Sequence, residues 1–193
     1  MRGIVYLTFP RAEEEKTVNM EHIVRLIAFA VLCAGFAFSP AAADDLPQVG
    51  QMAPSVTLPS QDGSKVSLKD YRGKWVVLYF YPKDNTPGCT IEAHNFQRDL
   101  SKYQEKNAVI VGVSVDSSES HQDFCTKQSL TFKLLADTEK KVVAEYGSLN
   151  ERGMATRNTF LIDPTGKIAK VWTGVKPQEH SDEVLAAISE LEK

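Results

Sequence analysis

The feature that most constrains the fold is a pair of continuous apolar segments with a helical segment between them. Residues 75–81 and 108–115 are rich in β-branched and aromatic side chains, and such unbroken runs are typical of strands buried on both faces. Between them, apolar residues recur every three or four positions from Cys89 to Tyr103, which predicts one helix over residues 87–106. A strand, a helix and a strand in this order form a right-handed parallel crossover. The sequence therefore predicts an α/β fold.

The remaining elements complete a mixed sheet flanked by helices. The turn sequences Gln-Asp-Gly-Ser at 61–64 and Asp-Pro-Thr-Gly at 163–166 lie between short apolar runs, which predicts two hairpins. One further strand and three further helices are predicted, at 132–135, 118–128, 137–147 and 178–191. Because no repeat or second domain is evident, residues 44–193 are interpreted as a single domain.

The N-terminal region has the pattern of a secretory signal. Residues 26–38 form an apolar run that follows Arg25 and precedes Ala41, Ala42 and Ala43. A basic residue, an apolar segment and a small-residue site in this order are typical of a cleaved signal peptide. We therefore expect a signal peptide at 1–43, cleavage after Ala43 and export, to the periplasm if the organism is bacterial.

Two alternatives remain open in this region. Glu13, Glu14 and Glu15 do not suit the start of a signal peptide, so Met20 is an alternative start that fits the pattern better. An uncleaved membrane anchor is the second alternative. The apolar run has 13 residues, which is short for a bilayer that needs about 20. No stable membrane association is therefore expected.

Charge and cysteine content narrow the function classes. The formal net charge is -3, which gives no signal for polyanion binding, so nucleic acid is not an expected partner. The predicted mature chain holds two cysteines, Cys89 and Cys125. Two thiols in an exported protein usually form a structural disulfide. That interpretation competes with a catalytic one.

Cys89 lies where catalysis by a thiolate is favoured. It follows the end of a predicted buried strand and sits in the first turn of a predicted helix, with Thr86 at the N-cap position and Pro87 after it. Unpaired N–H groups and the helix dipole favour an anion there, and the thiolate is the reactive form of cysteine. The dipole contributes only about 0.3–1 kcal/mol, so a second positive group is needed. Arg157, at the start of a later strand, is the candidate.

Several blocks of residues resemble one known family. The spacing Pro82-x-x-x-Thr86-x-x-Cys89 is similar to the peroxiredoxin active-site motif. Residues 81–93 (YPKDNTPGCTIEA) resemble the bacterioferritin-comigratory, or peroxiredoxin Q, branch, as do the later blocks FKLLAD at 132–137 and RNTFLID at 157–163. The resemblance implies a thioredoxin-like fold with a central mixed β-sheet flanked by helices.

The resemblance also implies a role for each matching residue. Cys89 corresponds to the peroxidatic cysteine, and Thr86 to the hydroxyl that hydrogen-bonds the sulfur and the peroxide. Pro82 corresponds to the residue that shields the sulfur from water. Arg157 corresponds to the activating arginine, and Glu92 to an acidic residue that helps to hold it; alternatively, Glu92 is only a surface charge on its helix.

The second, resolving cysteine is the point where the chain departs from many members of the branch. Those members carry it five residues after the first, where this chain has His94. Other members carry it on the next helix, and Cys125, 36 residues after Cys89, has that placement. A Cys89–Cys125 disulfide is therefore expected, formed after local unfolding because two helical positions rarely meet the distance a disulfide requires. The alternative is that Cys125 is a buried small apolar residue beside Phe124.

The implied reaction is the reduction of hydrogen peroxide and organic hydroperoxides. The Cys89 thiolate becomes a sulfenic acid, Cys125 converts it to a disulfide, and a thioredoxin-like protein restores both thiols. The sulfur carries the redox change, so no metal or organic cofactor is implied, and a monomer is expected. A thiol–disulfide oxidoreductase is disfavoured because the chain has no C-x-x-C motif. A non-enzymatic redox sensor or chaperone-like binding protein is the other alternative, and a peroxide assay distinguishes it.

Overall fold

The fold is built on a five-stranded mixed sheet. The computed structural model describes residues 46–193, so the predicted signal peptide lies outside the described residues. The strands of the sheet follow the order β5-β4-β3-β6-β7. Their bounds are β3 Trp75–Phe80, β4 Ala108–Ser114, β5 Lys133–Ala136, β6 Thr159–Ile162 and β7 Ile168–Trp172. A separate hairpin pairs β1, Thr57–Pro59, with β2, Lys65–Ser67.

Helices lie between and after these strands. Their bounds are α1 Pro87–Arg98, α2 Leu100–Glu105, α3 Ser118–Gln128, α4 Lys141–Glu145 and α5 His180–Leu191. Strands β3, β4 and β5 pair in parallel, whereas β6 runs antiparallel to both β3 and β7. The predicted α/β class, the mixed sheet and both hairpins are confirmed. Within residues 46–193, no helix is long and apolar enough to cross a membrane.

The alternation of side chains along β3 divides the interior into two cores. Val77 and Tyr79 point into a core that also contains Cys89 and Cys125. Val76, Leu78 and Phe80 point into the core on the opposite face, which includes Tyr146 and Phe160. Because β3 is central and both of its faces are covered, its sequence is apolar throughout rather than alternating.

Gly112 in β4 is required by close packing in the first core. A Cβ atom at this position would lie 2.6 Å from Leu134 Cδ2 and 2.7 Å from Cζ of the Tyr79 ring. The ring of Tyr79 therefore lies over the backbone of the neighbouring strand, and it continues into contact with Phe96 at a ring separation of 4.9 Å. A side chain at position 112 would force these aromatic residues apart.

The single helix predicted over 87–106 is wrong in one respect, because Asp99 divides it into α1 and α2. The Asp99 carboxylate is buried and accepts hydrogen bonds from Arg98, Lys102 and Ser181. Its backbone, at φ -96° and ψ 8°, leaves the helical region. Apolar spacing continues across this break, so periodicity alone did not detect it.

The helix predicted from Asp137 is also shorter than expected and is limited to α4. Asp137 starts the turn before it, and the carboxylate accepts hydrogen bonds from the backbone N–H groups of Lys141 and Val143. The side chain therefore organises the N-terminus of α4 from outside the helix rather than from its N-cap position, which Lys140 occupies.

Candidate active site

The loop that follows β3 carries the chain into the first turn of α1. Tyr81 still pairs with β4 through its N–H, which donates to the carbonyl of Val113 at 3.1 Å. Asn85 then adopts a left-handed conformation with φ 57°, which Asn tolerates better than most non-glycine residues. Helix α1 begins two residues later, at Pro87.

Thr86 occupies the N-cap position, as predicted, but its side chain does not cap the helix. Its hydroxyl donates to the carbonyl of Lys83 at 2.9 Å, which orients the hydroxyl group and leaves its oxygen able to accept a hydrogen bond. Pro82 is half-buried in the same loop. The roles of Thr86 and Pro82 toward peroxide stay predictions.

Cys89 is almost completely buried, with 2% of its surface exposed. It lies in the first turn of α1, where the backbone N–H groups have no helical partner. The guanidinium of Arg157 reaches the sulfur from the segment that precedes β6, and its Nη2 lies 3.4 Å from Cys89 Sγ. The structure thus brings together the two residues that the sequence predicted as nucleophile and activator.

Glu92 holds Arg157 in this position. It lies one turn after Cys89 on α1, is fully buried, and accepts a hydrogen bond from Nη1 of Arg157. Its other oxygen, Oε1, has no hydrogen-bond partner among residues 46–193. Burial raises the pKa of Glu92 to about 7, against the lowering effect of Arg157. Burial opposes the charge of Arg157, but Glu92 and Cys89 outweigh it and raise the pKa of the guanidinium.

Gly88 makes room for the arginine, and the sequence reasoning missed it. A Cβ atom at this position would lie 3.2 Å from Arg157 Nη2 and 3.8 Å from Pro177. A glycine inside the first turn of a helix is unfavourable for helix stability. Its presence at position 88 is therefore a sequence feature that could have indicated a close approach by another group. His94, by contrast, is exposed on the outer side of α1.

Cys125 lies in the middle of α3 and is 6% exposed. Both cysteines of the described residues are free thiols, and both belong to the same core. Burial raises the pKa of Cys125 to about 11, and the Asp84 carboxylate adds to the increase. Cys125 is therefore a thiol, and not a thiolate, at neutral pH while α3 is folded.

A buried polar network joins the active-site loop to α3, and the sequence analysis did not identify it. The Asp84 carboxylate accepts hydrogen bonds from the hydroxyls of Tyr81 at 2.8 Å and Ser120 at 2.7 Å. His121 Nδ1 lies 2.8 Å from Asp84 Oδ2, and His121 Nε2 lies 3.1 Å from the carbonyl oxygen of Leu135. Burial opposes ionisation of Asp84, but the bonds from His121, Ser120 and Tyr81 lower its pKa.

The geometry of the site suits nucleophilic attack on an electron-poor atom. A cation next to the sulfur favours the thiolate, and the same guanidinium presents further N–H donors for an oxygen that develops negative charge. The site lies at the carboxyl end of β3, where small ligands bind in open α/β sheets.

Comparisons with known proteins agree with this chemistry. Residues 49–171 match the model of the AhpC/TSA family. A putative peroxiredoxin bcp of Helicobacter pylori is 45% identical over 148 residues, which cover 73% of this chain and 97% of that protein. Peroxiredoxin Bcp of Bacillus subtilis is 42% identical over 151 residues, which cover 75% of this chain and 96% of that protein.

Solved structures give the same result. A variant of PrxQ from Xylella fastidiosa superposes with a TM-score of 0.74 at 34% identity, over 77% of this chain and 99% of that one. The bacterioferritin comigratory protein of Xanthomonas campestris, whose structures concern alkyl peroxide reduction, gives 0.68 at 35% identity, over 72% and 92%. Two cysteine-to-serine variants of Xanthomonas campestris peroxiredoxin Q, with TM-scores of 0.71 and 0.70 at 34% identity, cover 78% and 77% of this chain and 99% of their own. Their substituted cysteines are 36 positions apart.

Proposed function

The chain belongs to the AhpC/TSA family, in the peroxiredoxin Q (Bcp) branch, and is a thiol peroxidase; we propose that Cys89 is its peroxidatic nucleophile. The observation that carries the assignment is the distance of 3.4 Å between Arg157 Nη2 and Cys89 Sγ. Because Glu92 fixes the guanidinium, the positive charge stays next to the sulfur before substrate binds.

In the peroxide step, the Cys89 thiolate attacks the terminal oxygen of the hydroperoxide. An S–O bond forms and the O–O bond breaks, so the sulfur is oxidised to the sulfenic acid, whose hydroxyl is the terminal oxygen with its own proton, and the peroxide is reduced. The second oxygen leaves as an alkoxide or hydroxide and takes a proton to become an alcohol or water. Arg157 stabilises the negative charge on the sulfur before attack and on the leaving oxygen during it. The Thr86 hydroxyl accepts a hydrogen bond from the peroxide.

Hydrogen peroxide and organic hydroperoxides are the proposed substrates. The similarity to a Xanthomonas campestris protein whose structures concern alkyl peroxide reduction supports the organic class. Pro82 and the buried position of Cys89 limit the access of water to the sulfur.

Cys125 is the proposed resolving cysteine. Its separation from Cys89, 36 residues, equals the separation of the two cysteines substituted in the Xanthomonas campestris enzyme. Both thiols are buried and free, and the burial of Cys125 suppresses its thiolate. Formation of the Cys89–Cys125 disulfide therefore requires that the first turn of α1 or helix α3 unfolds locally.

The reductant and the location follow from the same interpretation. A thioredoxin-like protein restores the two thiols by disulfide exchange, and the enzyme acts as a monomer. The apolar run before Ala43 supports export, with a mature chain that begins at Asp44. N-terminal sequencing of exported protein tests this start, and a mature protein that retains residues 26–38 would support the anchor instead.

The central experiment compares peroxide consumption by the mature protein with that of its two cysteine variants, with a thioredoxin system as the electron source. Cys89→Ser should lose all activity, because a serine hydroxyl is not ionised at neutral pH. Cys125→Ser should consume one equivalent of peroxide and then stop. More than about a tenth of the normal rate in Cys89→Ser would refute the nucleophile assignment, and normal turnover of Cys125→Ser would refute the resolving role.

A further inference from the structure

Helix α3, which carries Cys125, is hydrogen-bonded to the active-site loop through the carboxylate of Asp84. Asp84 lies five residues before Cys89, and its side chain binds Ser120 and His121 of α3 at 2.7 and 2.8 Å. Its backbone N–H donates to Asp116 Oδ2 at 2.9 Å, just before α3 begins. The hydrogen bonds between the loop before the peroxidatic cysteine and the helix of the second cysteine therefore converge on Asp84, and the Tyr81 hydroxyl, 3.3 Å from His121 Nδ1, adds a further contact.

The hydrogen bonds of His121 occupy both of its ring nitrogens and make this contact a buried hydrogen-bonded pair. Nε2 faces the carbonyl oxygen of Leu135, which can only accept, so this nitrogen carries a proton. Nδ1 faces Asp84 Oδ2, and Asp84 already accepts from two hydroxyls. Nδ1 is therefore hydrogen-bonded directly to the Asp84 carboxyl group, and the Tyr81 hydroxyl lies 3.3 Å from the same nitrogen. His121 is fully buried and Asp84 is 5% exposed, so water has little access to replace these hydrogen bonds.

The pair lies on the path that the second cysteine must open. His121 is four residues before Cys125, so the two side chains project from the same face of α3. Cys125 is buried by that face, and it cannot leave the core unless the face separates from the loop and from β5. Separation breaks the contacts of His121 with Asp84 and with Leu135 together.

We propose that Asp84 and His121 are positioning residues for the resolving step: their buried pair holds α3 on the active-site loop, and its opening limits the rate at which Cys125 reaches the oxidised Cys89. In that step the Cys125 thiol and the Cys89 sulfenic acid form a disulfide, the S–O bond breaks, and the hydroxyl leaves as water with the thiol proton. The proposal rests on the resolving role of Cys125. It adds that the pair prolongs the life of the sulfenic acid, during which a second peroxide can oxidise it to the sulfinic acid.

The test follows the two steps separately in Asp84→Asn, His121→Gln and the double variant. One equivalent of peroxide is added, samples are quenched in acid at short times, and mass spectrometry quantifies the thiol, the sulfenic acid trapped by dimedone and the intramolecular disulfide. Disulfide formation should accelerate at least tenfold in each single variant, with no further gain in the double variant. The rate of Cys89 oxidation should stay within a factor of two, and the sulfinic acid fraction under excess peroxide should fall.

Two further variants distinguish an effect of the Asp84–His121 pair on disulfide formation from an effect of the overall stability of α3. Asp123→Asn removes an exposed ion pair of the same helix, Asp123 with Lys127 at 2.7 Å, and should leave disulfide formation unchanged. Ser120→Ala removes one hydrogen bond to Asp84 without a buried charge change, and it should accelerate the step by a smaller factor. It serves where a charge variant does not fold.

Three results would overturn the proposal. The first is an unchanged rate of disulfide formation in Asp84→Asn, His121→Gln and Ser120→Ala. The second is an equal acceleration in Asp123→Asn, which would assign the effect to helix stability alone. The third is an absence of any Cys89–Cys125 disulfide in the unsubstituted enzyme. That result would refute the resolving role of Cys125 itself, whereas the first two results refute only the role of the Asp84–His121 pair.

Discussion

Substitution of Arg157 by glutamine isolates what the guanidinium contributes to Cys89. The lost contact is a hydrogen bond between a charged donor and the sulfur at 3.4 Å. Two unit charges at about that distance attract by about 5 kcal/mol at an effective dielectric constant of about 20, which is an upper bound. A net hydrogen bond to a charged group contributes about 1.5–3 kcal/mol. Since about 1.4 kcal/mol equals a factor of ten in an equilibrium constant, the ratio of thiolate to thiol should fall roughly 10- to 150-fold.

The same substitution leaves Glu92 without its cation. The Glu92 carboxylate is buried, and Arg157 is the group that lowers its pKa, so the variant should hold Glu92 protonated at neutral pH. A double variant, Arg157→Gln with Glu92→Gln, removes this secondary effect. Its thiolate population should match that of the single variant.

The assay measures alkylation of Cys89 by iodoacetamide from pH 5 to 9 in a Cys125→Ser background, together with the second-order rate constant for hydrogen peroxide. The alkylation rate should fall at neutral pH with the loss of thiolate, and the rate constant for hydrogen peroxide should fall by at least that factor, because Arg157 also stabilises the leaving oxygen. Arg152→Gln, at an exposed arginine in the same region of the chain, is the matched control and should change neither. A decrease of less than threefold in Arg157→Gln would refute the argument that the arginine charge activates the sulfur.

Three further predictions follow from the packing of the site and of the sheet. Gly88→Ala should slow the peroxide step several-fold with little change in melting temperature, because the new Cβ would press on Nη2 of Arg157 at 3.2 Å; an unchanged rate constant would contradict the tight approach. In Glu92→Gln, the folded state no longer has to ionise a buried carboxyl. The folded-state pKa of about 7 exceeds the ordinary 4.5, so the unsubstituted protein loses stability relative to this variant as pH rises from about 4.5 to 7, by up to on the order of 3 kcal/mol; urea unfolding at several pH values measures it, and a pH-independent difference would refute it. Gly112→Ala should lower the free energy of unfolding by about 1–3 kcal/mol because of the clash with Tyr79 and Leu134, and equal urea midpoints would show that the core can adapt.

Much of the fold was predictable because the evidence for it is local. The unbroken apolar run of β3 and the spacing along α1 reflect burial directly, and both elements lie where the sequence placed them. The division of the long helix at Asp99 was not predicted, because the apolar spacing continues across it and one partner of the buried Asp99 carboxylate, Ser181, is 82 residues away in sequence.

The active site divides in the same way. Cys89 and Arg157 could be proposed from motif and chemistry, and the structure brings them into contact. The pairing of Asp84 with His121 spans 37 residues, and neither residue type is unusual in a loop or in a helix. Because β3 and β4 run parallel, the loop after β3 and the start of α3, which follows β4, lie at the same edge of the sheet. This arrangement brings Asp84 and His121 together, and it is known only from the structure.

The two cores on opposite faces of the sheet have a consequence for damage and turnover of the enzyme. Both cysteines lie in one core, whereas Phe80, Tyr146 and Phe160 lie in the other. Local unfolding in each catalytic cycle can therefore be confined to the core that contains the cysteines, while the core on the opposite face stays packed and holds the strands in register. A protease should find cleavable backbone in the oxidised enzyme only around α1 and α3, and the remainder should persist as a folded fragment. Mutations in the core that contains Phe80, Tyr146 and Phe160 would shorten the lifetime of the protein in the cell without changing its peroxidase activity. Mutations in the core that contains Cys89 and Cys125 would change both.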